Sequence, residues 1–144
     1  MGSQTYTAST GHALPSTYYV GLSTVAISGF TSSGLGTIVE PQTTVGGVAT
    51  NYARVSVTNS DGTNWNASTT GILTNKTKID FPKSSNSATA GDWGNIYGVF
   101  FSDNATRNAG NVWWYENFPT PVPIGPATVG SYLANTGIII TWTT

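Results

Sequence analysis

Gly94-Asn95-Ile96-Tyr97-Gly98-Val99-Phe100-Phe101-Ser102 is the stretch from which the fold is read. It is short, apolar and rich in β-branched and aromatic residues, a composition that suits a pleated surface. Turn-forming residues bound it on both sides. The small-residue loop Ser84 to Gly91 precedes it, and Ser102-Asp103-Asn104-Ala105-Thr106-Arg107-Asn108-Ala109-Gly110 follows it. The run reads as a central strand. Further strand signals recur outward from it at spacings of about ten residues.

Upstream, Thr17 to Thr24 puts Tyr18, Val20 and Leu22 on one face. Tyr52 to Thr58 alternates, which predicts Ala53, Val55 and Val57 inward and Arg54 and Ser56 outward. Gly36 to Glu40 is a weaker candidate, closed by Pro41. Asn59 to Asn64 is a dense turn signal. Thr77 to Pro82 is a short strand near an edge, because proline ends it. Downstream, Asn111 to Phe118 is the next strand. Pro119, Pro121, Pro123 and Pro126 predict an extended, rigid crossing with few ladder bonds at the domain edge. Ala127 to Leu133 and the apolar Gly137 to Thr143 complete the set.

No window of about a dozen residues keeps a helical apolar stripe free of Gly, Pro or β-branched runs. The expected fold is therefore all-β: a single-domain β-sandwich, jelly-roll-like, with about eight strands. An immunoglobulin-like sandwich is the alternative, although its paired cysteines are absent. Residues 1–16 read as an N-terminal arm and residues 17–144 as the β-sandwich domain. The chain's 144 residues suit one domain,.

Charge is the unusual property. Only 8% of residues are charged and the net charge is -1, against about 25% charged residues in an average domain. Five Lys and Arg residues scattered along the chain cannot form the basic face that nucleic acid requires,. No apolar run approaches the roughly 18 residues of a membrane span. The first residues carry neither a basic nor an apolar signal region. Nucleic acid and membrane are therefore not expected partners. A weakly charged Thr/Ser/Asn surface is easily desolvated against neighbouring proteins.

Catalytic equipment is sparse. There is no cysteine and one histidine, His12, in a polar N-terminal segment. A serine triad would rest on that residue alone, and a zinc site needs more ligands. The six carboxylates, Glu40, Asp61, Asp80, Asp92, Asp103 and Glu116, lie mostly in turn contexts,. Asn59-Ser60-Asp61-Gly62 lacks the spacing and closing Glu of a calcium loop. No catalytic residues, cofactor or metal are expected. Trp113-Trp114-Tyr115 is the sharpest local feature. In a regular strand Trp113 and Tyr115 share one face and Trp114 takes the other, so one face is core and the other a sugar platform, a subunit interface or the second side of a buried sheet. The candidate interface residues are His12 and Leu14 of the arm, Trp114, and Pro121, Pro123 and Pro126.

The order of these motifs resembles a family of small bacteriophage virion structural proteins. The resemblance runs through Tyr18-Tyr19-Val20-Gly21-Leu22-Ser23-Thr24, Tyr52-Ala53-Arg54-Val55, Ile79-Asp80-Phe81-Pro82, Asp92-Trp93-Gly94 with Val99-Phe100-Phe101-Ser102-Asp103, and Gly137-Ile138-Ile139-Ile140-Thr141. It implies a β-sandwich within the particle, in capsid decoration, minor capsid or tail roles. The leading expectation is a capsid decoration (cement) protein on the outer capsid surface, made in the host cytoplasm. It would bind the major capsid protein and copies of itself as a homotrimer, burying about 1,000 Å² or more per contact. A tail fibre or baseplate component is the alternative. A carbohydrate-binding module for host-surface glycans is the second.

Overall fold

A computed structural model describes residues 15–29, 35–59, 64–66, 72–132 and 139–141. Among them there are strands and no helix. In chain order these are β1 (Thr17–Ser23), β2 (Thr44–Val45), β3 (Val48–Ala49), β4 (Val55–Thr58), β5 (Ile72–Thr74), β6 (Ile79–Asp80), β7 (Gly94–Ser102), β8 (Val112–Ile124), β9 (Ser131–Tyr132) and β10 (Ile139–Thr141). The all-β expectation holds. β4, β1, β7 and β8 form one antiparallel sheet in that order, and β2–β3, β6–β9 and β5–β10 are short two-stranded ladders. The calls on His12 and Leu14, and most of the N-terminal arm, lie outside the described residues.

β7 sits in the middle of the sheet, between β1 and β8. Both of its faces are covered, which explains its unbroken apolar run. On one face Val99 and Phe101 join Val20, Leu22 and Val57 of the neighbouring strands, with Trp65, Ile79, Phe81 and Trp93 packed over them. On the other face Phe100 packs with Ile27, Ile38 and Val112. Ile27, shortly after β1, and Ile38 therefore lie over this face of the sheet. Asn117 fastens Ile27, its side-chain amide exchanging two hydrogen bonds of 2.8 Å with the backbone of that residue. Sheet hydrogen bonding fixes the register, and Gly21 stands opposite Phe100. A Cβ at Gly21 would overlap the tip of the Phe100 ring. Glycine is required here by close approach, not by backbone angle.

Two departures from regular pairing shape β8. Ile96 pairs with Val122 and Gly98 with Asn117. Phe118, Pro119, Thr120 and Pro121 therefore stand opposite Tyr97 alone. The proline segment is a bulged part of an edge strand, where missing N–H donors leave little of the ladder unmade. The expected non-strand crossing is thus corrected in part: the chain is extended and at the edge, but Pro123 pairs opposite Asn95 within β8. The second shift lies between Phe101 and Ser102, which pair with Trp114 and Val112. Trp113 is the extra residue.

Three further readings change. Residues 36–40 are not a strand: Gly36 takes a positive φ of 58° in a turn, and Val39 gives only its carbonyl to Thr24. The ladder β2–β3 was not anticipated there. Its Gly46-Gly47 turn has φ of 56° and 78°, both positive as a tight type I′ hairpin demands. The alternation of Tyr52 to Thr58 also slips by one residue where β4 begins. Tyr52 and Arg54 are buried, whereas Ala53 faces solvent.

Overpacking a well-filled core costs about 1–3 kcal/mol. Gly21→Ala is expected to lower unfolding stability by at least that range in urea titrations. An unchanged midpoint would show that Phe100 does not rest on Gly21 as described.

Candidate functional site

The most highly connected group of polar side chains is buried. The Glu40 side chain is 0% exposed and the Arg54 side chain 1%. Arg54 donates through Nε and Nη2 to the two carboxylate oxygens of Glu40, at 3.0 and 2.7 Å. This is the two-pronged geometry that suits a planar guanidinium. Tyr52 Oη donates to Glu40 Oε1 at 2.7 Å, and the Asn108 N–H donates to Oε2 at 2.8 Å. The same tyrosine oxygen accepts the Leu22 N–H of β1 at 3.0 Å. Arg54 Nη1 donates to the carbonyls of Asn104 and Ala109, at 2.6 and 3.0 Å. Its Cζ stands 5.0 Å from the centre of the Phe100 ring, a cation–π contact made inside the protein.

This cluster gathers four distant stretches of chain: residue 40, residues 52–54, strand β1 and the 104–109 loop. Arg107 adds a second clamp. It donates through Nε to Pro41 O at 2.7 Å and through Nη2 to Glu40 O at 2.8 Å. Burial is the main reason the Tyr52 hydroxyl is held well above its ordinary pKa, with the neighbouring Glu40 charge adding to it. At the loop's ends, burial alone would raise the Asp103 carboxyl. Hydrogen bonds from the backbone and side chain of Asn111, with smaller ones from Trp113 and from the backbone of Asp103 itself, together outweigh burial and lower it.

Sequence reading missed this cluster because alternation assigned Arg54 to solvent. One signal was available: an arginine two residues after Tyr52, on the same strand face, in a chain with very little charge. The cluster holds no proton acceptor aimed at an open cleft, and its groups are consumed by one another. Among the described residues no group of three His, Cys, Asp or Glu could hold a metal ion. No described helix is long and apolar enough to cross a membrane.

Of the predicted interface residues, His12 and Leu14 lie outside the described residues, and Trp114, Pro121, Pro123 and Pro126 occupy separate settings. Trp114 is half-buried and packs edge-on against Phe101, with ring centres 5.2 Å apart. It belongs mainly to the core. Tyr115 packs with the Ile27–Phe100 cluster on the opposite face. Trp113 does not share that face as regular alternation predicted. From the bulge it meets the edge of Tyr18 at 6.5 Å, and Tyr18 lies against the Val20 cluster. Pro126 closes a tight turn in which Ala127 has φ of 56°. Ser84 braces that turn, donating to Gly125 O at 2.7 Å and accepting the Thr128 N–H at 2.9 Å.

Pro121 and Pro123 have a different setting. They flank Val122, which is 46% exposed. Val122 borders an apolar groove of about 190 Å³, lined by Leu22, Phe81, Ile96, Phe118, Ile124 and Gly130. Val129, 49% exposed, lies close by in sequence. The bulged edge strand therefore presents an apolar ridge and furrow at the sheet margin.

A family model described as podophage GP4 fiber I protein gp80 matches residues 4–136. The chain belongs to that family. It is a family of phage virion structural proteins, as the motif order suggested. The matched range takes in the Glu40–Arg54 cluster, the central sheet and the whole of the proline-bearing strand β8. No curated protein matches the chain.

Breaking a buried ion pair from one side costs about 3–5 kcal/mol. Arg54→Met is expected to destabilise the domain by that amount in chemical denaturation. Arg54→Met combined with Glu40→Gln should recover part of the loss, and strict additivity would refute the coupling. The Tyr52 hydroxyl keeps its proton longer in the folded than in the unfolded chain, which loses it near pH 10. Its stabilising contribution is therefore whole below about pH 10 and declines as pH rises above it. Comparing the alkaline stability of Tyr52→Phe with that of the parent chain measures this slope, which the variant should lack.

Proposed function

We propose that this chain is a fibre component of a phage tail that acts through protein–protein contacts and carries out no catalysis. The family match over residues 4–136 is the observation that carries this reading. The family's fibre description favours it over the capsid decoration role that the sequence put first. Low charge supports the same reading. A chain with only 8% charged residues has little ion solvation to lose when neighbours cover it,.

Copies of the chain associate, in this proposal, through the ridge of Pro121, Val122 and Pro123 and the adjoining apolar groove. Apolar area there is already exposed at the sheet margin. The bulge and the prolines disfavour open-ended strand pairing along this edge, so side-chain packing is the mode of contact. A trimer is the expected assembly.

Native mass spectrometry of the purified chain should give the mass of a trimer. Val122→Asp should shift it to monomer while leaving thermal unfolding within about 0.5 kcal/mol, because the residue is largely exposed. In quantitative mass spectrometry of whole particles, a handful of copies per virion is expected for a fibre. Hundreds of copies would return the chain to the capsid shell.

A further inference from the structure

We infer that the groove between β2 and the Asp92–Gly94 turn is a binding site for a neutral sugar ring. The groove has a volume of about 380 Å³, within the roughly 300–1,000 Å³ typical of small-ligand pockets. It shares no lining residue with the apolar furrow beside β8.

Its walls are already rigid. Glu40 and Pro41, whose carbonyls Arg107 holds, line one part. Trp93 lines another, its indole N–H fixed on Thr50 O at 3.0 Å and its ring edge-on to Tyr52 at 5.3 Å. Thr24 is tied to Val39 O through both its backbone N–H and its hydroxyl. A ligand would therefore meet a preformed surface and order few side chains on binding.

The chemistry of the lining selects the ligand class. Asp92 uses one carboxylate oxygen, Oδ1, to cap the Gly94 N–H at 2.8 Å. Its Oδ2 has no partner among the described residues, and neither has the Gln42 amide. Arg107 uses Nε and Nη2 on backbone carbonyls, which leaves Nη1 as a donor. The groove thus combines a strong acceptor, a strong donor and an amide that is both. Val39, Pro41 and Val45 supply aliphatic surface between them. Formal charges cancel: Asp92 balances Arg107, and Glu40 is neutralised by Arg54. A site with no net charge gives no advantage to a phosphate or an ammonium group. It matches a ligand that is uncharged, carries vicinal hydroxyls able to donate and accept, and has a C–H face.

This inference goes beyond the assembly role and does not depend on where in the particle the chain sits. Isotope-labelled protein should be titrated with free glucose, galactose, rhamnose and N-acetylglucosamine, and separately with inorganic phosphate. At least one sugar should shift the amide signals of Thr24, Gln42 and Gly94 together, and phosphate should not. Asp92→Asn keeps an oxygen for the Gly94 N–H and so preserves the turn. It should weaken the sugar by about tenfold or more, the loss expected for a charged hydrogen bond. The inference is overturned if no sugar moves those signals, if phosphate moves them equally, or if Asp92→Asn binds as well as the parent. None of these outcomes bears on the fibre proposal, which the copy number decides.

Discussion

A carboxylate buried in an apolar domain must have its charge matched and its lone pairs filled, and the four donors on Glu40 meet that demand. Taking two charges out of water is expensive, so such a pair is better understood as fixing one arrangement than as adding stability. Here the arrangement is extensive. Only when the 104–109 loop wraps Arg54, when Tyr52 reaches β1, and when residue 40 lies beneath both are all the buried groups satisfied. Any other packing of these loops strands a charge.

The sheet depends on that constraint in turn. Phe100 lies between Gly21 and Arg54, so the polar cluster and the second apolar cluster share a wall. Ile27 and Ile38 cover this face, and Glu40 follows Ile38 by two residues. Bulges do the remaining work at the other margin. They turn the edge strand away from regular pairing and leave an apolar ridge without an open, aggregation-prone ladder. The proposed packing among copies would use such a margin: adhesive through side chains but unable to polymerise through its backbone.

Much of the architecture was legible in the sequence. The bounds of β7 were read correctly from a run of β-branched and aromatic residues between turn clusters. Tyr18, Val20 and Leu22 share a face because period-two geometry is local,. The Gly46-Gly47 hairpin was also legible in principle, since paired glycines between valines select a tight turn, but the surrounding Gly- and Thr-rich stretch obscured it. The candidate site was much less legible. The proline segment was placed at an edge, whereas for Trp114 the sequence left core, interface and sugar platform open, and the structure sets it half-buried against Phe101.

Composition and periodicity by themselves determined an all-β domain with a central apolar strand, little charge and no evident catalytic set. Those properties are sums or short-range patterns, and each residue contributes without reference to distant ones. Tertiary structure alone decided where the few charges went. Arg54 follows the rule for an outward strand residue until Glu40, fourteen positions earlier, is brought against it. Trp113 obeys alternation until a bulge inserts it between pairs. Both outcomes turn on contacts between segments far apart in the chain, whose energies no local pattern contains.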